Sequence, residues 1–514
     1  MKTPLRMIIF ILMILLTVVA CAGANDTQSE EHELYEPPAP EETPEPIITE
    51  PLIELTSRPA ITTFDLPAVD FANAMGVGWN LGNSLDAFTN HLAHETSWNN
   101  PQITPELFHA IREAGFTNVR IPVTWIGHID EDNNVSKARL NRIQEVVNYA
   151  LDADLYVIIN IHHDGNNYFP GGAWLSVEEY PDNLHPNWNY ADFNFRPNQM
   201  EIRARFEAVW RQIAEHFKDY DARLLFEGFN ELRELWNYSN PVNPSSIENL
   251  NILNQIFIDT VRATGGNNTY RYLIVAGYNT NARITADANS GFVIPEDTIS
   301  YRLMLSIHFY DPWYFSLNTH NHDIFKWGQE IRDIRAPHVD NWGNEPHVRD
   351  TFQLLYDNFV AHGIPILLGE YGVHDKSDID IINHEYRRYW LEYVTRAMIE
   401  TSGFVPIYWD NGNGRPHGGE RFLLFDRTNA APVYSDLIFA LVRAPYAPAR
   451  PLFSRQVIED TFARYTYDPE IQALFDTAIE AADAFRNDIS LETLEAVETA
   501  YRALRMAAII AQNS

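Results

Sequence analysis

Between Pro67 and Pro445 the chain alternates short, mostly apolar runs with longer stretches in which apolar residues recur every three or four positions. Eight such runs stand out: Gly76 to Leu81, Asn118 to Trp125, Tyr156 to His163, Leu224 to Glu231, Tyr272 to Tyr278, Leu303 to Tyr310, Ile364 to Tyr371 and Phe404 to Trp409. A strand that is apolar at successive positions is buried on both faces, as in a parallel sheet covered by helices. Between the runs, Leu140, Ile143, Val147 and Ala150 mark one helix face, Phe206, Val209, Trp210, Ile213 and Phe217 a second, and Val348, Phe352, Leu355 and Phe359 a third. Repeated β/α alternation of this kind predicts an α/β chain folded as a (β/α)8 TIM barrel with enlarged loops, in preference to an open doubly wound sheet. Gly76-Val77-Gly78 comes nearest to a nucleotide-binding glycine loop, but it lacks the third glycine and runs into Trp79.

The pattern changes at both ends. Beyond Pro451 the chain is alanine-rich, with Ile471, Leu474, Phe475 and Ile479 on one helical stripe and Leu494, Val497, Tyr501 and Leu504 on another, so residues 449–514 read as a helical extension. Whether it packs on the barrel is open at this level. At the N-terminus Lys2 and Arg6 precede the apolar run Met7 to Ala20, which ends in Val18-Val19-Ala20-Cys21. These are the charged, hydrophobic and small-residue parts of a secretory signal, and the run is shorter than the roughly 20 residues needed to span a bilayer. A polytopic membrane protein is excluded, and residues 1–20 are expected to be removed. Cys21, the sole cysteine, sits at the cut site and resembles the lipobox cysteine of bacterial lipoproteins; an ordinary signal with an incidental cysteine is the alternative. Under either reading the protein is extracytoplasmic, anchored at the cell surface or secreted, and one cysteine forms no intrachain disulfide. Residues 21–60, rich in Glu, Pro and Thr, read as a disordered tether ahead of a catalytic domain at 61–448.

Charge narrows the partners. The formal net charge is −33, so phosphate backbones are repelled and nucleic acid is not an expected partner. Hydrophobic residues at 45% and aromatics at 13% place the chain well outside the disordered class. A monomer is expected.

In a (β/α)8 barrel reactive groups lie at the C-terminal ends of the strands. The polar residues closing the runs are Asn80 and Asn83; Arg120; His162 and His163; Asn230 and Glu231; Tyr278; His308 and Tyr310; Glu370; and Trp409, Asp410 and Asn411. Glu231 and Glu370 each end a hydrophobic strand, the fourth and the seventh, which face one another across a barrel. Two such carboxyls suit retaining glycoside hydrolysis, where a separation of about 5–5.5 Å divides nucleophile from acid/base. Each could instead be a structural ion-pair partner. Glu227, four residues before Glu231, points the same way one layer deeper and reads as a structural partner for Arg120 or a histidine. His162, His163, Asp164 and His308 raise a metal alternative, but the first strand ends in Asn-Leu-Gly-Asn where a His-x-His is wanted, so neither metal nor cofactor is expected. Trp79, Trp125, Trp174, Trp236 and Trp313 are candidates for sugar platforms or for core.

Seven strand-end motifs then carry a resemblance. Asn80-Leu81-Gly82-Asn83, Asn118-Val119-Arg120-Ile121-Pro122, Asn160-Ile161-His162-His163, Phe226-Glu227-Gly228-Phe229-Asn230-Glu231, His308-Phe309-Tyr310, Gly369-Glu370-Tyr371-Gly372 and Tyr408-Trp409-Asp410-Asn411-Gly412 resemble, in order, those of glycoside hydrolase family 5, the cellulase family. The resemblance implies a retaining endo-β-1,4-glucanase with Glu231 as acid/base and Glu370 as nucleophile. It implies that Arg120 and Tyr310 hold Glu370, Asn230 bonds a sugar 2-hydroxyl and His308 assists Glu231. His162 and His163 would line the site, and Trp409 would stack on a sugar. His163 could equally support a neighbour without touching sugar. The substrate so implied is a β-glucan polysaccharide, with xyloglucan, mixed-linkage glucan, xylan or mannan as alternatives to cellulose. Preference is expected in the loops Phe169 to Pro197 and Leu232 to Pro244. A non-catalytic glycan-binding lipoprotein is the competing class; it predicts loss of a carboxylate or its support, and all are present.

Overall fold

In the computed structural model, which describes residues 59–165, 196–232, 244–320, 322–415 and 419–512, every one of the apolar runs contains a strand. They are β1 (Gly78–Asn80), β2 (Asn118–Ile121), β3 (Tyr156–Asn160), β4 (Leu224–Glu227), β5 (Leu273–Ala276), β6 (Leu303–Phe309), β7 (Ile366–Tyr371) and β8 (Phe404–Tyr408). All pair in parallel, and β1 pairs with both β2 and β8 to close the barrel. Cys21, the tether as far as residue 58, Trp174, Trp236 and nearly all of the two loops expected to set preference lie outside the described residues. Among the described residues no helix is long and apolar enough to cross a membrane.

Side chains alternate along each strand, so every second residue enters the barrel. The lowest inward residues are apolar: Tyr156, Ile158, Leu225, Tyr272, Ile274, Met304, Leu367, Val405 and Ile407 form one cluster with Phe71 and Met75 of the helix Ala68–Met75. That helix closes the lower end, with Phe71 stacked 4.0 Å from Tyr272; burial of a side chain of this size contributes roughly 1.5–3 kcal/mol. Outward residues such as Val119, Val157 and Phe226 join the larger cluster beneath the helices. Above the apolar plug the inward residues turn polar, with Asn80, Arg120, Asn160, Glu227 and Ser306 all fully buried. This polar layer is the floor of the site.

One irregularity sets the height of the seventh strand. Leu368 pairs with Ile307, but Glu370 pairs with His308, so β7 carries one extra residue against β6. The same shift recurs against β8. The bulge turns Glu370 into the barrel mouth level with His308. Gly369 makes this possible, since a Cβ there would meet His308 Nε2 and Ser306 Oγ at 3.2 Å.

The C-terminal helices Arg455–Phe462, Pro469–Asn487 and Leu491–Gln512 pack on the barrel, which their sequence left open. Glu498 takes Lys326 Nζ at 2.7 Å and Tyr386 Oη at 2.6 Å, and Arg502 bonds Asp380 at 2.8 Å. Phe453 stacks edge-on with both Tyr386 and Tyr501. Buried charges of this kind hold only as pairs, which ties the last helix to the barrel.

Candidate active site

Arg120 organises the site from below. Its Nε donates to Glu227 at 2.7 Å, one terminal nitrogen to Asn80 at 3.1 Å and Glu370 at 2.9 Å, and the other to Asn230 at 2.7 Å. Glu227 also accepts from Asn160 at 2.9 Å and Ser306 at 2.6 Å, so this deeper carboxylate is a structural counter-ion. Asn80 spends its own amide on the carbonyls of Gly369 and Tyr408, which holds it beneath the cleft and off the sugar. Burial works against the Arg120 charge, and Glu227 and Glu370 more than offset it, so the guanidinium stays above its ordinary value.

The two strand-end carboxyls meet above this floor. Glu370 receives Arg120 on one oxygen and Tyr310 Oη, at 3.1 Å, on the other. His308 Nδ1 lies 2.8 Å from Glu231 Oε1 and 3.5 Å from Glu370 Oε2. One oxygen each of Glu231 and Glu370 and a nitrogen of His308 all fall within 4.8 Å of one another. Because Arg120 and Tyr310 already occupy the Glu370 oxygens, this cluster suits a reacting carboxylate better than a metal ligand. Burial, then the Glu370 and Glu231 charges, keeps Tyr310 protonated and therefore a donor. Burial first, and then the Arg120 charge among its neighbours, keeps His162 neutral.

Arg120 does not by itself settle the ionisation of Glu370. Burial pushes this carboxyl above its ordinary 4.5, His308 and Arg120 draw it down, Glu231 pushes it up, and the rise prevails. A carboxyl that must lose its proton before attacking gives activity that falls as pH drops through its raised pKa. The acid limb of kcat/KM is therefore expected above pH 4.5, and a limb at or below that value in a pH profile contradicts the placement of Glu370.

The site opens into a cleft of about 930 Å³. Trp409 lines it, its ring parallel to His162 at 6.0 Å. His163 is half-buried on the wall, its Nε2 3.5 Å from Asp86 and without a hydrogen-bond partner among the described residues. Asn83, Asn230 and Asn411 also line the cleft. Of the tryptophans considered as platforms, Trp313 is 47% exposed and lines the cleft. Trp79 and Trp125 are core: each buries its ring because an interior acceptor, Asp410 or the Asn160 carbonyl, satisfies the indole N–H. Asp410 and Tyr278 are buried structural residues. Trp98 and Phe88 form a wall that the strand ends do not announce, joined by Trp98 Nε1 to the Phe88 carbonyl at 2.9 Å. Their only signal is the cluster Trp98-Asn99-Asn100 in the loop after β1.

A family model described as cellulase (glycosyl hydrolase family 5) matches residues 82–415. The chain belongs to glycosyl hydrolase family 5. It is 40% identical over 398 residues to an endoglucanase A of Paenibacillus barcinonensis, covering 76% of this chain and 92% of the relative. Among solved structures, a family 5 xyloglucanase from Paenibacillus pabuli matches with 39% identity and a TM-score of 0.65, covering 73% of this chain and 99% of the other. A broad-specificity endoglucanase from Bacteroides salanitronis matches with 37% identity and a TM-score of 0.66, covering 74% and 96%. This family 5 chain is therefore a glycoside hydrolase.

Proposed function

We propose that the protein is a retaining endo-β-1,4-glucanase in which Glu370 is the nucleophile and Glu231 the acid/base. The observation that carries the reading is the spacing of the two carboxyls, whose nearer oxygens lie within 4.8 Å. An inverting enzyme needs roughly 6.5–9.5 Å to seat a water between them. Glu370 attacks the anomeric carbon while Glu231 protonates the departing glycosidic oxygen; Glu231 then takes a proton from water as the glycosyl-enzyme is hydrolysed. Asn230 gives its carbonyl oxygen to Arg120 at 2.7 Å, which leaves its amide to donate to the 2-hydroxyl as the transition state forms. Proton NMR during hydrolysis of a soluble β-glucan should show the β-anomer first, and initial release of the α-anomer contradicts the mechanism.

Xyloglucan is the second reading. It is favoured by the likeness to the P. pabuli xyloglucanase and by a cleft of about 930 Å³, roomy enough for a branched backbone. Reducing-end release from cellulose, xyloglucan, mixed-linkage glucan, xylan and mannan separates the readings. Cys21 supports export with a lipid anchor, since it directly follows the apolar run of residues 7–20. More than one acyl chain gives stable membrane binding where a single chain is marginal. Cys21→Ser should leave a membrane-associated protein soluble or unprocessed; wild type that takes up no palmitate and partitions wholly into the medium removes the anchor while leaving the glucanase assignment intact.

A further inference from the structure

Exposed indole is uncommon in this fold. Among the described residues the exposed tryptophans are Trp313, at 47%, and Trp342, at 39%. They belong to two segments that touch. Gly343, with φ +77°, packs so closely on Pro312 that a Cβ there would lie 2.6 Å from the proline Cβ. Trp342 and Trp313 are the next residues along these two segments, and Tyr314, 44% exposed, adds a ring 5.3 Å from Trp313.

Trp342 is also braced. Its ring stands perpendicular to that of His347, centroids 5.2 Å apart, and His347 is fixed by Asp311 at 2.7 Å and Arg283 at 3.2 Å. Trp327 Nε1 ties down the Gly343 carbonyl at 2.9 Å. An indole held this firmly yet left in water forgoes the hydrophobic gain of burial and presents a preorganised apolar face. The occupant that fits is a pyranose, whose C–H face is apolar and whose hydroxyls can reach the surrounding polar groups. Trp313 lines the cleft, and the packing of Gly343 on Pro312 sets the Trp342 segment beside it.

We infer that the rim beyond Trp313 is a docking shelf for further sugar residues of the β-glucan chain lying in the cleft, with Trp342 as its outer platform. The inference rests on the glucanase reading above. The shelf holds chain that a short substrate does not extend to, so it acts on KM for polymer and not on the chemical step.

The test compares kcat/KM on a soluble polymeric β-glucan with kcat/KM on an aryl β-cellobioside, in wild type, Trp342→Ala, Trp342→Ser and Trp342→Phe. Either truncation that melts with the wild type supplies the reading. The expected result is a fivefold to tenfold fall in the polymer-to-cellobioside ratio, carried by KM, with Trp342→Phe recovering most of it because an aromatic face remains. A ratio within 1.5-fold of wild type in a truncated variant overturns the shelf. Wild type inactive on every β-glucan overturns the glucanase reading itself, so the two failures are distinct.

Discussion

Glu370→Ala is expected to lower kcat on polymeric β-glucan by roughly 10⁴-fold or more, about 5 kcal/mol of transition-state stabilisation. In the proposed mechanism this carboxylate forms the covalent intermediate; of the groups that bond it, Tyr310 is held protonated, and Arg120 and His308 carry no nucleophilic oxygen. Glu231→Ala should lose roughly 10²–10⁴-fold on the same substrate, because a sugar alkoxide leaves poorly without a proton. The two variants part company on an activated aryl β-glucoside. Its phenolate departs unaided, so Glu231→Ala keeps a fast first step and accumulates glycosyl-enzyme, while Glu370→Ala remains inactive. Mass spectrometry of the trapped adduct reads the difference. Either variant retaining a tenth of wild-type activity on polymer refutes its assignment.

The strand ends stand out in the sequence because of the barrel itself. A strand buried on both faces has no polar residue to spare until it reaches the mouth, so Arg120, Asn230, Glu231, His308 and Glu370 announce themselves by interrupting apolar runs. The period of two along a strand also places Glu227 beneath Glu231, and it is found on Arg120 Nε at 2.7 Å. Residues on loops carry no such signal. Trp98 and Phe88 reach the cleft through the path of the segment between β1 and the helix Pro105–Glu113, which local periodicity does not encode. Trp79 and Trp125 look like rim residues in sequence, yet both rings are buried in the larger apolar cluster under the helices. The bulge at Gly369 is equally silent, because it depends on how close Arg120 and His308 approach from other strands. Docking of the C-terminal helices rests on Lys326 and Glu498, 172 positions apart, and no local pattern joins them.

Arg120→Leu should damage stability and activity together, through separable causes. The side chain is fully buried and bonds four partners, so its removal strands Glu227, which is itself fully buried, with only Asn160 and Ser306 as donors. Breaking a buried pair from one side costs about 3–5 kcal/mol, a large share of the roughly 5–15 kcal/mol that holds a domain folded. Arg120→Leu with Glu227→Gln should regain much of that loss, since the stranded charge is gone. Activity should not return with it. The Arg120 charge draws Glu370 down against burial, and its side chain positions both Glu370 and Asn230. The folded double variant is therefore expected to show an acid limb of kcat/KM at higher pH than wild type and a lower plateau. Arg120→Lys keeps the charge but not the planar fork, and should fall between. Denaturant melts give the stability, and pH profiles of the folded variants give the limb. A double variant that refolds with the wild-type limb and plateau means that Arg120 serves the floor of the barrel alone and has no part in holding the nucleophile.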